Sequence, residues 1–357
     1  MSIRPEGSDI AATLLRVIER RTGLSGLTFD RPPVRLTGGF WADIFAFRLA
    51  GGPKGFEGDL VLRLMPAEER ARRELCVHAT IAAQGFPTPR VHLSGDEAAG
   101  FERPFIIMDR ARGGSIAAGL PPREKMAATR QVPRLLAKTS AALHKLDPEP
   151  VVSRLREGGW SEQSLGVAAL LDELAIPVQG LSSGWAPEGL RWLRQHAPTF
   201  GAKVPCHGDL HGFNLIIEHG EVSALIDWTN FRIAEPAFDL AKTLLLLEDM
   251  PIEVPRLLRP MFKAIGRRAA RVFLATYRAL TPFREEKLSW YQALHAYQLL
   301  VRVADARLPT TATRSLEPSH PWELGAAASA ARFQRLTDIG VVLPPYRHER
   351  PCAEGAV

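Results

Sequence analysis

Cysteine is scarce in this chain of 357 residues. Only Cys76, Cys206 and Cys352 occur. An odd number with no paired spacing argues against a disulfide framework and for a reducing compartment. Long apolar runs are lacking too. The uninterrupted leucines Leu244 to Leu247 fall far short of the roughly 20 residues that span a bilayer. The opening Met1-Ser2-Ile3-Arg4-Pro5-Glu6-Gly7 has no signal-like apolar region, so a soluble, cytoplasmic protein with no membrane partner is expected. No helix-turn-helix, zinc finger or aromatic RNA motif is present, which removes the usual grounds for a nucleic-acid partner. Acidic runs are few in the C-terminal part, Glu248-Asp249 and Glu253 among them. A polycationic ligand would favour more. No internal repeat or long low-complexity segment is evident.

What the chain does have is positive charge and a large supply of core residues. Net charge is +6 with a pI near 9.5, and 46% of residues are hydrophobic. That balance can attract an anionic ligand such as ATP. The cations Arg16, Arg20, Arg21, Arg70, Arg72, Arg73, Arg267, Arg268 and Arg271 are scattered through helical patterns. They read as solvated helix faces rather than one basic patch.

The most informative stretch is Cys206-His207-Gly208-Asp209-Leu210-His211-Gly212-Phe213-Asn214, followed by Ala224-Leu225-Ile226-Asp227-Trp228. Leu215-Ile216-Ile217 reads as a short buried strand. Glu218-His219-Gly220-Glu221 reads as a turn in which Gly220 can take positive φ. Val222 to Ile226 returns as a second strand. Such a hairpin brings Asn214 and Asp227 side by side. Two oxygen ligands at neighbouring strand ends suit Mg²⁺, which leaves room for phosphate oxygens. Asp209, on the preceding loop, is placed to orient a substrate hydroxyl and accept its proton, as phosphoryl transfer requires. A rival reading uses the alternation of His207, Asp209 and His211. On a strand these would share one face and hold Zn²⁺ or Fe for hydrolysis.

These residues resemble the catalytic and metal loops of the aminoglycoside phosphotransferase family, the small-molecule branch of the protein-kinase-like fold. The family form is H-G-D-[LI]-x-x-x-N, then a hydrophobic residue, Asp and Trp or Phe. The chain departs from it in carrying Gly212-Phe213 where members often have Pro-Gly. The resemblance implies a bilobal α+β protein, with a small antiparallel-sheet N-lobe over residues 1–110 and a larger, mainly helical C-lobe over 111–357. It also implies an ATP-dependent, Mg²⁺-assisted kinase acting on a small hydroxylated substrate. Acceptor and oligomeric state are left open.

Upstream features follow in the family's order. Val34 to Leu49 reads as strand, glycine turn, strand. Gly38 and Gly39 let backbone amides approach phosphate, although the pair alone equally fits an ordinary turn. Arg31-Pro32-Pro33 reads as a break before it. Asp59 to Met65 is a strand. Its Arg63 stands where kinases carry the phosphate-contacting lysine, and guanidinium can grip phosphate with two donors. A helix from Pro66 to about Gln84 carries Glu74, so an Arg63–Glu74 pair is expected. Phe105 to Met108 is a buried strand ending at Asp109-Arg110. The resemblance makes this the approach to the hinge, with Met108 and Arg110 near the adenine. Gly113-Gly114 then frees the chain for the second lobe.

Beyond residue 112 the pattern turns helical. Pro133 is expected to kink or break the helix from Met126 to Leu146. Residues 150–185 are weakly patterned, with one short helix near 164–174. Trp228 to Pro236 reads as a loop. Pro236-Ala237-Phe238-Asp239-Leu240-Ala241 resembles the family's G-D-P-x-x-D-L-A, with Ala234-Glu235 in place of Gly-Asp. The resemblance gives Asp239 a structural role, accepting hydrogen bonds from the catalytic loop, and His207 a bracing one. Three more helical patterns lie near 255–280, 284–306 and 321–338. Trp290, Tyr291, Tyr297 and Asp305 on them are cleft candidates, with core packing the commoner job for most. The alternatives are a catalytically silent nucleotide-binding module, in which Arg63 marks lost chemistry, and, more remotely, the metal hydrolase.

Overall fold

The computed structural model describes residues 7–36, 42–65, 68–95, 100–101, 103–116, 121–181, 184–308 and 316–346. Gly38 and Gly39 lie outside the described residues. The chain divides into two compact units, one of residues 1–135, 146–162 and 212–231, the other of 136–145, 163–211 and 232–357.

The first unit is built on a five-stranded antiparallel sheet. Its strands are β1 (Phe29–Arg35), β2 (Asp43–Leu49), β3 (Leu60–Leu64), β4 (Val91–Gly95) and β5 (Phe105–Asp109), in the order β1-β2-β3-β5-β4. Strand alternation decides what each face does. Leu60, Leu62 and Leu64 of β3 join Phe45, Phe47, Phe105 and Ile107 in one core, which α1 (Gly7–Thr22) completes through Ile10, Leu14, Val17 and Ile18. Arg63 therefore leaves the opposite side of β3, the central strand. Pro32-Pro33 do not break the chain as expected. They sit within β1, whose register against β2 shifts between Arg31 and Val34. An edge strand tolerates missing N–H donors where a central one does not.

Helix α2 (Glu68–Ala83) follows β3 and is in contact with α4 (Glu149–Glu157). Helix α4 answers to no pattern seen in the sequence. It is nine residues long and buries only Val151, Val152 and Leu155, too short a stripe for periodicity to reveal. The same unit holds the hairpin β7 (Leu215–Glu218) and β8 (Glu221–Leu225), turned at His219 and Gly220 as expected. Gly113 and Gly114 do more than free the chain. Gly114 exchanges both backbone hydrogen bonds with Ile217, at 3.0 and 2.9 Å. A Cβ on Gly113, whose φ is +93°, would meet the Ile217 carbonyl oxygen at 2.1 Å. Only glycine allows that approach.

Helix α3 (Pro122–Leu143) runs through Pro133 without a break. The second unit holds α5 (Val167–Gly180), α6 (Trp185–Gln195), β6 (Val204–Cys206), β9 (Arg232–Ala234), α7 (Pro236–Glu248), α8 (Arg259–Leu280), α9 (Leu288–Ala306) and α10 (Pro321–Thr337). Helix α9 is apolar almost all round and runs through the core, as such helices do. Trp290, Tyr291, Leu294, Tyr297, Leu300 and Val301 pack there with residues of α5, α6, α7 and α10. The aromatic cleft candidates are thus core residues. Tyr297 donates to the Ala186 carbonyl at 2.5 Å, and Trp290 to that of Leu193 at 3.2 Å. The stretch expected as a loop after Asp227 is a 3₁₀ turn, Trp228–Asn230, and then β9, which pairs antiparallel with β6. A three-residue strand carrying a buried arginine gives no alternation to read. Arg232 is held by Glu173 and the Ser164 carbonyl.

Candidate active site

In the first unit, the hairpin leaves Asn214 and Asp227 at its open end. Leu215 pairs with Leu225, and the Ile226 amide donates to the Asn214 carbonyl at 3.0 Å. Asp227 adopts a left-handed backbone, φ 70° and ψ 74°, rare for a residue with a Cβ. Its carboxylate accepts the Thr229 amide at 3.4 Å and the Thr229 hydroxyl. Strain of this kind persists where surroundings over-determine it, and it gathers at working sites.

The surroundings here are charged. Arg63 is ion-paired with Glu74, as expected, and its other terminal nitrogen lies 3.6 Å from the Asp227 carboxylate. The Thr229 hydroxyl also contacts Glu74, at 3.1 Å. Glu74 is 2% exposed, so its charge is tolerable only because it is paired. Burial works against the Arg63 charge, yet Glu74 and Asp227 outweigh it and raise its affinity for the proton. Arg63 thus stands as a fixed cation between two carboxylates.

Trp228 is fixed by a relay in the same unit. Its indole N–H donates to the Thr88 hydroxyl at 2.9 Å, which in turn lies 2.9 Å from His78 Nε2. Burial pushes His78 down to about 4, so the imidazole is neutral and accepts the Thr88 proton. Sequence reading picked out neither Thr229 nor this relay. The signal was the Thr88 between two prolines and the His four residues after Glu74, both too common to weigh. On β5, Met108 pairs with Val61 and Val91. The Arg110 amide already donates to the Asp59 carbonyl at 2.8 Å, so its carbonyl and side chain are what it offers a base.

In the second unit, β6 ends at Cys206 and the chain leaves it as a turn. Gly208 takes φ +78°, a backbone few other residues adopt. That turn removes the strand alternation on which the hydrolase reading of His207, Asp209 and His211 depended. The buried Asp239 holds the turn. It accepts the His207 amide at 2.8 Å and the Gly208 amide at 2.7 Å, with His144 Nε2 at 3.1 Å. His144 Nδ1 meets the Tyr277 hydroxyl at 2.8 Å. Burial drives the Asp239 carboxyl up, but His144, His207 and the Gly208 amide hold it below the usual range. His207 is itself buried and accepts the Asp209 amide on Nδ1 at 3.3 Å.

Among the described residues, one group has the spacing of a metal cluster: His144, Cys206 and Asp239. Its atoms are engaged as above, with the Cys206 thiol donating to the Glu235 carbonyl at 3.5 Å. It is a satisfied internal network. Asp209, by contrast, faces basic side chains. His211 Nε2 lies 3.7 Å and Lys242 Nζ 3.8 Å from its two oxygens. Burial would raise its carboxyl, yet His211, Lys242 and His207 together hold it far below the ordinary range. Asp209 is an anion at any physiological pH. Glu235, which departs from the family's Gly-Asp, receives the Lys287 ammonium at 2.5 Å and the Tyr291 hydroxyl at 3.1 Å. Sequence reading marked neither Lys242 nor Lys287.

A model of the phosphotransferase enzyme family matches residues 35–283. The chain belongs to the phosphotransferase enzyme family. It is a small-molecule phosphotransferase that acts on a hydroxyl group. Solved structures agree on the fold. A thermostable mutant of aminoglycoside phosphotransferase APH(4)-Ia, in a ternary complex with ADP and hygromycin B, is similar at a TM-score of 0.58 and 16% identity, covering 92% of this chain and 99% of that one. Macrolide 2'-phosphotransferase type I is similar at 0.54 and 17%, covering 96% and 100%. Aminoglycoside-3'-phosphotransferase of type VIII is similar at 0.52 and 22%, covering 82% and 100%. The phosphotransferase thus has the protein-kinase-like α+β fold expected from its motifs, with an antiparallel-sheet N-terminal part and a mainly helical C-terminal part. No described helix is long and apolar enough to cross a membrane.

Proposed function

We propose that this enzyme transfers the γ-phosphate of ATP to a hydroxyl of a small molecule, with Mg²⁺ as cofactor. The observation that carries the reading is Asp227, held in a strained backbone with Arg63 and Thr229 on its carboxylate. Asp227 and Asn214 form an all-oxygen donor set at the open end of one hairpin, the kind Mg²⁺ takes. They would hold the ion, which when bound neutralises phosphate charge. Arg63, oriented by Glu74, adds a permanent cation for the phosphates. Asp209, kept ionised by His211 and Lys242, accepts the hydroxyl proton, and His207 with Asp239 fixes its loop. Positioning and charge neutralisation supply most of the rate in such reactions.

The reading includes a nucleotide-covering lobe at 1–110, where Gly38 and Gly39 would meet phosphate and Met108 and Arg110 adenine, and a catalytic lobe at 111–357. Support for ATP comes from the family and from the ADP bound to a structurally similar protein.

The test is ADP release from Mg-ATP across a panel of hydroxylated small molecules, beside calorimetric binding of Mg-AMP-PNP. Acceptor-dependent release that disappears in Asp209→Asn supports the reading. Nucleotide binding without release under any acceptor supports a silent nucleotide-binding module instead.

A further inference from the structure

Lys242 has an unusual position. It follows Asp239 by three residues on α7, so it leaves the same helix face that braces the catalytic loop. Its side chain is only 12% exposed, and its ammonium lies 3.8 Å from Asp209 Oδ1. That is beyond hydrogen-bond length. Among the described residues, Lys242 donates no hydrogen bond. A near-buried ammonium carries three donors, which water or a ligand anion must meet.

The neighbourhood adds positive charge. Burial lowers the proton affinity of Lys242; Asp209 opposes this, and Arg302 of α9 reinforces it. The Arg302 guanidinium lies over the Trp322 ring at 5.2 Å, a stacking that fixes its plane. His211 stands on the other oxygen of Asp209. Acids at the end of α7 and on α10 are committed elsewhere. Glu248 and Asp249 bind Arg332, and Glu323 binds Arg307. A polycationic acceptor would meet a lysine beside the base.

We infer that Lys242 forms an oxyanion subsite beside Asp209, so that the acceptor is an anionic alcohol carrying a carboxylate or phosphate near the hydroxyl that is phosphorylated. This rests on the phosphotransferase reading of Asp209. In the reaction the acceptor O–H proton passes to Asp209. The acceptor oxygen bonds to the γ-phosphorus, and the bond to the β–γ bridging oxygen breaks with its electron pair leaving on ADP. The subsite holds the acceptor's second, unreacting anion. The donor's own γ-phosphate is the other source of an oxyanion at this place, and the experiment separates the two.

Thermal unfolding of the full chain is followed with Mg-AMP-PNP saturating, so the donor phosphates are already present. The probes are inorganic phosphate and ω-hydroxy carboxylates, each of the latter against the diol of equal chain length. The inference predicts stabilisation by the anions and none by the diols. Because a charge-assisted hydrogen bond is lost, Lys242→Met should raise the apparent Kd for the anions about tenfold or more, with Mg-AMP-PNP affinity unchanged. Arg302→Gln should act in the same direction, more weakly, and serves if Lys242→Met folds poorly. Equal anion effects in wild type and both variants, or none in any of them, would overturn the subsite. Weakened AMP-PNP binding in Lys242→Met would assign the lysine to the donor instead. A protein that binds no Mg-AMP-PNP at all would refute the phosphotransferase reading itself, a separate result.

Discussion

The carboxylate of Asp239 holds the backbone amide of Gly208 at 2.7 Å. One side chain on α7 thereby fixes the turn that presents Asp209. The same carboxylate takes the His207 amide and His144, so three donors lose their partner if it goes. Asp239→Ala should destabilise the protein by about 3–5 kcal/mol, since each orphaned buried donor is unfavourable by about 1–3 kcal/mol. Asp239→Asn should keep most of the fold but reduce kcat about ten- to a hundredfold, as loss of an orienting partner does. Denaturant unfolding and steady-state kinetics measure the two effects separately.

Arg63 is the clearest case of a residue with both a structural partner, Glu74, and a proposed chemical task. Removing it leaves Glu74 buried and unpaired. Arg63→Ala should therefore lower stability by roughly 3–5 kcal/mol, visible as a shifted urea midpoint. Arg63→Lys keeps the charge but cannot reach Glu74 and Asp227 with two separate donors. It should recover part of the stability and leave KM for the nucleotide raised. A double variant Arg63→Met, Glu74→Met should be more stable than Arg63→Ala alone, because no uncompensated charge remains.

His78 predicts how the protein responds to acid. Its folded value, about 4, lies below the ordinary histidine value of 6.5. Between those two values the unfolded chain binds a proton that the folded chain refuses. Stability is therefore fully present above pH 6.5 and declines as pH falls towards 4. A shift of this size corresponds to roughly 3 kcal/mol. His295 in the second unit is likewise pushed down to about 4 by burial. His78→Gln should flatten the pH dependence of unfolding and leave the share due to His295.

Gly113 gives a test of the close approach to β7. Gly113→Ala combines a positive φ with a Cβ driven onto the Ile217 carbonyl. The variant should lose about 2–4 kcal/mol, the range for a strained backbone with an added clash. The hairpin that carries Asn214 and Asp227 should exchange its amide protons faster. Gly220→Ala, where no neighbour lies within 4 Å, should show the smaller backbone effect alone.

The candidate site was legible where chemistry and spacing coincide. The stretch from Cys206 to Trp228 carries three functional groups at fixed steps, and its hairpin is turned at the expected residues. The Arg63–Glu74 pair was legible through the family resemblance, which puts one member on the strand and the other on the helix. What stayed hidden lacks period. Helix α4 buries three residues, β9 has three in all, and β1 runs through two prolines because it is an edge. Lys242 and Thr229 were hidden for another reason. A lysine on a helix and a threonine after Asp-Trp are ordinary residues until folding sets one beside Asp209 and the other on Glu74. The proline in α3 misled because a helix can run through one.

Phosphoryl transfer is tested most directly by following label from [γ-³²P]ATP to hydroxylated acceptors, with the wild-type protein and with Asp209→Asn and Asp227→Ala. The wild type should give an acid-stable, acceptor-dependent labelled product. Either variant should give roughly a hundredfold less, or none, as when one transition-state contact is removed. Near-normal transfer by Asp227→Ala would contradict the assignment of metal and phosphate to that end of the hairpin. Tight Mg-ATP binding with no transfer to any acceptor would contradict the enzyme itself.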